Sequence, residues 1–300
     1  MKIIITGASG FIGNRLLQAA RSVYGTDVTA FSSYPAEGSH IVYRSTSDFG
    51  LTSADHALVQ AAKVLIHAGA FIPKSGTEVN QFSECNGNIS FTEKLLALPW
   101  NRLKKIVFLS TVDAYANVKG PINEATSVMP ASLYGLSKLY GERMVSLYAA
   151  EHGIASQILR IGHVYGPGEE KYAKVLPTAI RNIVAGKAVE LWGNGKALRS
   201  FIYIDDVVKA ILNAVELQEE PGIINVAGGH PIAIGDLLKR LIMISGRDTC
   251  IEHHEFSGVT RDLVFDNAKL KRYLLPQESD FMAGLRAEFR HIENLHADQP

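Results

Sequence analysis

The chain has few of the residues that characterise disulfide-rich, metal-binding or strongly charged proteins. Cys85 and Cys250 are its only cysteines, which is too few for a disulfide framework or a cysteine metal cluster, so we expect reduced thiols. Thirty basic and thirty acidic residues cancel to a formal net charge of +0. No overall field therefore attracts nucleic acid or an anionic membrane, and we expect neither as a partner.

Long apolar segments are also missing. No apolar run approaches the roughly 20 residues that are needed to span a bilayer. The sequence starts with a strand-like segment at 2–5, without the basic leader, apolar core and small-residue cleavage site of a signal peptide. We therefore expect a cytoplasmic protein. Its 300 residues, of which 47% are apolar, predict one large or two coupled globular domains.

Short β-branched segments alternate with longer amphipathic segments through the first half of the chain. This alternation is typical of βαβ units, and it predicts an α/β fold with a Rossmann-type, doubly wound parallel sheet. The longest predicted helix covers 133–152, between a turn-rich stretch and Gly153. The predicted strands are 2–5, 28–31, 40–43, 64–67, 106–110 and 155–160.

The alternation loosens after residue 168. Helices are predicted at 174–185 and 205–217, and strands at 188–192 and 222–227. We predict a first domain at 1–165 and a smaller mixed α/β domain at 166–300. The segment 199–228 is predicted to return to the first sheet.

A glycine-rich turn, TGASGFIG, follows the first predicted strand and opens a helix at 6–13. Gly7 permits the sharp turn, Gly10 lets the backbone approach a pyrophosphate, and Gly13 allows close packing of helix on strand. Free N–H groups at the helix N-terminus would then face the phosphates. At this place in a βαβ pattern, the turn predicts a dinucleotide-binding site.

Tyr134 and Lys138 stand four residues apart in the segment YGLSK, on one face of the predicted helix. An ammonium group one helical turn away favours the phenolate, which makes tyrosine a better base toward an alcohol. The spacing alone is more typical of a surface pair. In LSTVDAY, Ser110 and Thr111 end another strand, where either hydroxyl holds a substrate oxygen or caps the strand.

Together these motifs resemble the extended short-chain dehydrogenase/reductase family, which is also called the NAD-dependent epimerase/dehydratase family. The resemblance runs from residue 1 to about residue 273. Besides the three motifs above, it rests on HAGA at 67–70, NISFT at 88–92, RIGHVYGPG at 160–168 and LRSFIYIDDVVKAI at 198–211.

The resemblance implies the chemical roles of three residues. Tyr134 would act as general acid or base on a sugar hydroxyl, and Thr111 would hydrogen-bond the reacting oxygen. Lys138 would lower the pKa of Tyr134 and hydrogen-bond the nicotinamide ribose. Free tyrosine has a pKa of about 10, so a pKa near 7 requires roughly 4 kcal/mol of preferential phenolate stabilisation.

The resemblance also implies which residues bind the two ligands. The first domain would bind NAD(H) or NADP(H), and the second would bind a nucleotide-linked sugar. A homodimer through the long helices is implied as well. The predicted cofactor residues, besides Tyr134 and Lys138, are Gly7, Gly10, Phe11, Ile12, Ser32, Asp48, Phe49, His67, Ala68, Ala70 and Asn88. The predicted substrate residues, besides Thr111, are His163, Val175, Arg199 and Arg261.

Two enzymatic activities and one non-enzymatic function agree with these motifs. A 4-epimerase removes hydride from the sugar and returns it to the other face of a ketone, so the cofactor is regenerated. A 4-keto-6-deoxyhexose reductase consumes NADPH instead. The third interpretation is a cofactor-sensing regulator without catalysis, although such proteins usually lack the tyrosine and lysine pair. We favour the epimerase.

Several positions depart from the family pattern. Ser32 stands where NAD-preferring members carry an acidic residue, so NADP is favoured somewhat, with Arg15 or Arg44 as partners for its 2′-phosphate. Dehydratases carry an Asp-Glu pair after the catalytic threonine, whereas Val112 and Asp113 follow here, which disfavours dehydration.

Two further positions leave the substrate contacts open, because His163 replaces a common asparagine and Ser200 a common aspartate. We predict no metal site. The run from Glu252 to Glu255 contains two histidines, but neighbours on a strand point to opposite faces, so a solvated surface strand is the better interpretation.

Overall fold

Twelve β-strands and nine α-helices form within the part of the chain that the computed structural model describes, residues 1–35, 37–44, 46, 49–258 and 260–297. The strands are β1 (Ile3–Thr6), β2 (Val28–Ser32), β3 (His40–Val42), β4 (Val64–His67), β5 (Lys105–Thr111), β6 (Ala155–Ile161), β7 (His163–Tyr165), β8 (Val189–Trp192), β9 (Leu198–Tyr203), β10 (Ile224–Val226), β11 (Pro231–Ala233) and β12 (Ile251–His254). The helices are α1 (Phe11–Tyr24), α2 (Ser53–Ala61), α3 (Phe82–Leu96), α4 (Leu133–His152), α5 (Val175–Val184), α6 (Ile204–Glu216), α7 (Ile234–Ser245), α8 (Ala268–Tyr273) and α9 (Phe281–Ala297).

Seven of these strands form one parallel sheet in the order β10-β6-β5-β4-β1-β2-β3. The chain winds outward from β1 through β2 and β3, then returns to place β4 on the other side of β1. This reversal opens a crevice at the carboxyl ends of β1 and β4, where Thr6 lies opposite His67. The predicted α/β fold with a doubly wound parallel sheet is confirmed.

Both faces of the sheet are buried, because helices cover each side. Alternate residues of β1 point to opposite faces, so Ile3 and Ile5 join one core and Ile4 joins the other. The first core packs α1 and α6 against the sheet, and the second packs α2, α3 and α4 against it. The two-sided burial explains why the strand segments are almost continuously apolar.

The sequence predicts the elements of the central sheet closely. The six strands predicted in the first half all form within one residue of their predicted bounds, and the helix predicted at 133–152 is α4. The Ser132 hydroxyl caps the start of α4 by accepting a hydrogen bond from the Gly135 amide. Gly153 ends the helix in the left-handed conformation, with φ 61°.

The remaining strands form two small sheets beside the large one. One has the order β11-β9-β7, and the other pairs β12 with β8. The helices α5, α7 and α9 enclose a separate apolar core against these sheets. The short strands β7 and β11 have no sequence prediction, because three residues carry too little periodicity. No helix in the described ranges is both long and apolar enough to cross a membrane.

Candidate active site

The glycine turn between β1 and α1 leaves no room for side chains. Gly7 has φ 69°, and a Cβ atom there would lie 2.7 Å from the Gly69 Cα. A Cβ atom on Gly13 would lie 2.0 Å from the Gly7 carbonyl oxygen. The Gly10 amide donates a hydrogen bond to the same carbonyl at 2.9 Å. The N-terminus of α1 therefore opens onto a backbone-lined cradle of the kind that binds pyrophosphate.

A cleft of about 1070 Å³ extends from this cradle along the carboxyl ends of the strands. Its volume lies just above the roughly 300–1,000 Å³ that is usual for ligand pockets. The predicted site residues that line it are Gly7, Gly10, Phe11, Ile12, Phe49, Ala68, Ala70, Asn88, Thr111, Tyr134, Lys138 and His163.

The adenosine end of the predicted cofactor site differs in detail from the sequence prediction. Among the described residues, Ser33 lines the cleft and Ser32 does not. The Ser32 side chain is buried, and its hydroxyl donates to the Tyr34 carbonyl oxygen. Asp48 lies outside the described residues. Phe49 lines the cleft with φ 61° and packs edge-on against Phe31.

His67 is a core residue whose ring does not line the cleft within the described chain. Its Nδ1 lies 2.9 Å from the Thr6 hydroxyl oxygen and its Nε2 lies 3.0 Å from that of Thr92. Burial, together with the charge of Lys138, lowers the pKa of His67 well below its ordinary range. Because the Thr6 hydroxyl also accepts from the Gly69 amide at 2.9 Å, this neutral histidine helps to fix the loop after β4.

Three residues with predicted catalytic roles meet in the middle of the cleft. Thr111 ends β5, and its side-chain oxygen accepts a hydrogen bond from the Asp113 amide at 3.2 Å. Tyr134 and Lys138 lie one turn apart on α4, with 6% and 3% of their surface exposed. The Lys138 ammonium nitrogen lies 4.4 Å from the centre of the Phe108 ring. The pair is therefore buried at the cleft and is not a solvated surface pair.

The electrostatics of this pair depend on burial. Burial raises the pKa of Tyr134 above its ordinary value, the charge of Asp113 raises it further, and a hydrogen bond with Thr111 opposes the rise. Burial lowers the pKa of Lys138 to about 7, against the opposing effect of Glu142. The surrounding side chains therefore keep the phenol protonated and leave Lys138 partly charged at neutral pH. The lowered pKa of Tyr134 that the resemblance implies is not produced by these side chains alone.

Glu142 lies one turn beyond Lys138, and its role was not predicted from the sequence. Its carboxylate accepts hydrogen bonds from the Ser110 hydroxyl at 2.5 Å and from Arg160 at 2.9 and 2.8 Å. The Ser110 hydroxyl is therefore held by Glu142, although Ser110 lines the cleft as Thr111 does. The i, i+4 spacing from Lys138 to Glu142 is the sequence signal that could have revealed this support.

The end of the cleft that is predicted to bind the substrate is rich in positive charge. His163, Val175 and Arg199 line a neighbouring cavity of about 240 Å³. Burial and three nearby cations, Lys174 among them, lower the pKa of His163 to about 3, so its ring is neutral. Burial and the charge of Arg261 lower the pKa of Arg199. Two guanidinium groups that repel each other in this way are suited to a shared anion.

No metal site accompanies these groups in the part of the chain that the structure describes, where no cluster of three or more His, Cys, Asp or Glu side chains is arranged to hold an ion. On β12, Glu252 and His253 are exposed. His254 stacks on Trp192 with ring centroids 4.6 Å apart. These side chains belong to a surface strand.

A buried pair of carboxyl groups supports the segment that borders the substrate end. Glu169 and Glu288 are 2% and 0% exposed, and the Lys174 ammonium lies 3.0 Å from one Glu169 oxygen. Burial and the charge of Glu169 raise the pKa of Glu288, so this carboxyl keeps its proton at neutral pH. The pair joins α9 to residues of the cleft, a contact between distant segments that the sequence does not reveal.

We expect Glu288→Gln to stabilise the protein at pH 8 by about 1–3 kcal/mol, and by less at pH 5. The pKa of Glu288 is raised on folding, so above the unfolded-state pKa of about 4.5 the native protein holds a proton that the unfolded chain has lost. Stability therefore falls as pH rises through this window, and an amide removes that cost. Urea unfolding at both pH values measures the difference. Glu93→Gln, an exposed change on α3, is the control, and a less stable Glu288→Gln protein at pH 8 would contradict the assignment.

Comparison with known proteins adds independent information. The model of the NAD dependent epimerase/dehydratase family matches residues 3–227. The uncharacterized UDP-glucose epimerase YtcB of Bacillus subtilis (strain 168) is 28% identical over 316 residues, which cover 99% of each chain. A dTDP-4-dehydro-6-deoxy-D-allose reductase of Streptomyces bikiniensis is 36% identical over 117 residues, covering 38% of this chain and 36% of the reductase.

A solved structure is similar over almost the whole chain. It is the UDP-glucuronic acid 4-epimerase of Bacillus cereus in complex with UDP-glucuronic acid and NAD. The TM-score is 0.83 and the sequence identity 26%, and the match covers 98% of this chain and 100% of the other.

Proposed function

The chain belongs to the NAD dependent epimerase/dehydratase family and is an enzyme of the extended short-chain dehydrogenase/reductase type; we propose that it is a nucleotide-sugar 4-epimerase. It would interconvert the C4 epimers of a hexose carried on UDP or dTDP, through a 4-keto intermediate. One observation carries the proposal: Thr111, Tyr134 and Lys138 line the same cleft as the glycine turn. A proton-transfer group and a dinucleotide cradle are thus within one enclosed space.

NAD is the cofactor that we propose, and the cradle at Gly7, Gly10 and Gly13 would hold its pyrophosphate. When bound, NAD supplies a hydride acceptor and, in its oxidised form, a positive charge near the phenol. Arg15, a sequence candidate for an NADP phosphate, is already paired with Asp205 at 2.7 Å. That pairing, and the NAD named in the Bacillus cereus complex, support NAD over NADP.

Tyr134 exchanges the proton in the proposed reaction. Its phenol takes the proton of the C4 hydroxyl during oxidation and returns it during reduction, while Thr111 holds the reacting oxygen. Tyr134 can act as a base only if its pKa, which burial raises, is lowered again. The positive charge of Lys138, one helical turn away, would lower it. Glu142 acts in the same direction, because its carboxylate favours the charged form of Lys138.

The substrate phosphates would bind at the guanidinium groups of Arg199 and Arg261. Arg199 donates a hydrogen bond to the Arg261 carbonyl oxygen at 2.6 Å, which holds the two residues together. His163 and the first turn of α5 at Val175 border the same space. A diphosphate there would leave the sugar directed toward Tyr134, because His163 lines both cavities.

A 4-ketosugar reductase is the second candidate, supported by the local similarity to a dTDP-sugar reductase. The proposal is tested by incubating the protein with UDP- and dTDP-hexoses, with and without NADPH, and analysing the sugars by nuclear magnetic resonance. We expect C4 epimers to form without added reductant. Stoichiometric oxidation of NADPH with 4-keto substrates alone would select the reductase. No conversion in either arm would contradict both proposed activities.

The long helices carry the surface that we propose for a homodimer. Leu136, Tyr140 and Leu147 form an exposed apolar stripe along α4, at 49%, 56% and 65% exposure. Phe82, at the start of the neighbouring α3, is 73% exposed. A second copy of the chain would cover this face.

We expect Leu147→Arg to weaken the dimer by at least about 10-fold, because an unpaired charge would be buried at the interface. Light scattering during gel filtration, over a dilution series, measures the mass of both proteins. Met243→Arg places the same charge at a 67% exposed site on α7 and serves as the control. A wild-type protein that is monomeric at all concentrations would contradict the proposal.

A further inference from the structure

Asp113 lines the cleft beside Thr111 and Tyr134, and the proposed reaction does not use it. Its carboxylate oxygen lies 3.4 Å from the Thr111 hydroxyl oxygen, and its side chain is 43% exposed. Burial raises the pKa of Asp113, while Arg261, the Thr111 hydroxyl and Lys174 favour its charged form, and that charge raises the pKa of Tyr134. A carboxylate therefore faces the space next to the oxygen that Thr111 would hold.

Arg261 and Lys174 both favour the charged form of Asp113, and both also have other anions to balance. Lys174 is paired with Glu169 at 3.0 Å. Arg199 and Arg261 are the two groups proposed for the two charges of the substrate diphosphate. The nearest contact of Arg261 with Asp113 is 4.0 Å, which is the limit of an ion pair. Lys174, Arg199 and Arg261 would thus face Glu169, Asp113 and the substrate diphosphate. No cation of this group is left to balance a carboxylate on the sugar.

Four other lysines line the cleft and do not change this balance. Lys138 is assigned to Tyr134 and the cofactor, and Lys94 donates a hydrogen bond to the Thr46 carbonyl oxygen at 3.2 Å. Lys74 and Lys171 are both exposed at its rim, where solvent screens their charge. His163 contributes no charge, since its pKa of about 3 keeps the ring neutral. Apart from Lys138, which is assigned to Tyr134, the described part of the cleft therefore offers no buried lysine to a second acid.

We infer that Asp113 is a specificity-determining residue that selects a hexose with a neutral hydroxyl near the reacting carbon and rejects a hexuronate. An ionised carboxylate accepts hydrogen bonds but cannot donate them, so it binds a sugar hydroxyl and repels a sugar carboxylate. The inference rests on the proposed function, because it places the sugar at Thr111 and Tyr134. It separates the two substrate types named for the relatives, UDP-glucose and UDP-glucuronic acid.

The expected discrimination follows from the repulsion between like charges. Two carboxylates about 6 Å apart, at an effective dielectric constant of about 20, reduce binding roughly 100-fold. Removing one of the charges removes most of this factor. A lost hydrogen bond to the neutral sugar costs less, so the two substrates respond in opposite directions.

The test is a comparison of UDP-glucose and UDP-glucuronic acid, which differ only in the oxidation of C6. Dissociation constants are measured by calorimetry with the NAD-saturated protein, and kcat/KM is measured for C4 epimerisation of each sugar. The variants are Asp113→Asn, which keeps the shape of the side chain, and Glu84→Gln, which removes another acid that lines the cleft.

We expect the wild-type protein and Glu84→Gln to bind UDP-glucose about 100-fold more tightly than UDP-glucuronic acid. In Asp113→Asn this ratio should fall at least about 10-fold, mainly through tighter binding of UDP-glucuronic acid. Equal or tighter binding of UDP-glucuronic acid by the wild type, or an unchanged ratio in Asp113→Asn, would overturn the inference.

The two proposals fail in different ways. Epimerisation of UDP-glucuronic acid in preference to UDP-glucose would refute the role of Asp113 and leave the epimerase standing. The expected binding ratio without turnover of either sugar would refute the epimerase and leave the selectivity standing. Binding of neither sugar would overturn both.

Discussion

Replacing Tyr134 with phenylalanine is expected to lower kcat for C4 epimerisation by about 10³-fold, within the ~10²–10⁴-fold range of general acid–base catalysis. The phenol is the group that exchanges the hydroxyl proton in the proposed reaction. The ring itself is buried on α4, and phenylalanine preserves that packing. NAD affinity should therefore remain within about threefold of wild type, which corresponds to less than one kcal/mol.

Tyr148→Phe is the matched control for this prediction. Tyr148 lies on the same helix and stacks on His152 with ring centroids 4.0 Å apart, at the end remote from the cleft. Its loss of a hydroxyl should leave kcat unchanged. Retention of more than a tenth of wild-type activity by Tyr134→Phe would show that another group moves the proton.

Replacing Gly13 with alanine is expected to weaken NAD binding by at least about 100-fold, or about 2.7 kcal/mol. The added Cβ would lie 2.0 Å from the Gly7 oxygen and 3.1 Å from the Ala8 Cα. Both neighbours are backbone atoms, so α1 must move away from the turn. That movement displaces the N–H groups proposed to hold the pyrophosphate.

Fluorescence titration with NADH measures this effect, and circular dichroism verifies that the variant is folded. Gly235→Ala on α7 is the control, because Gly235 lies outside the cleft and its Cβ would meet its nearest atoms at 3.4–3.8 Å, which is ordinary contact. That change should leave NADH affinity unaltered. An affinity of Gly13→Ala within tenfold of wild type would contradict the assigned role of the turn.

The central sheet and the glycine turn were predictable because their signals are local. A strand buried on two faces is apolar along its length, as β1 is, and the three glycines repeat over a few residues of the turn. The bounds of α4 follow in the same way from Ser132 and Gly153, which cap its two ends.

The electrostatics of the site were not predictable from spacing. The sequence gives the distance in residues between Tyr134 and Lys138, but burial decides the direction of both pKa shifts. The contact of Glu142 with Arg160 joins a helix to a strand. Glu169, which lies between β7 and α5, and Glu288 on α9 come close together only in the complete fold.

The central claim is that hydride leaves C4 of the sugar and returns to the same carbon, and an isotope experiment tests it most directly. The protein is incubated with UDP-glucose carrying deuterium at C4, without added NADH or NADPH, and the products are analysed by mass spectrometry. We predict UDP-galactose that retains the deuterium at C4. Formation of UDP-galactose in which that deuterium has been replaced by solvent hydrogen, or no UDP-galactose at all, would contradict the account.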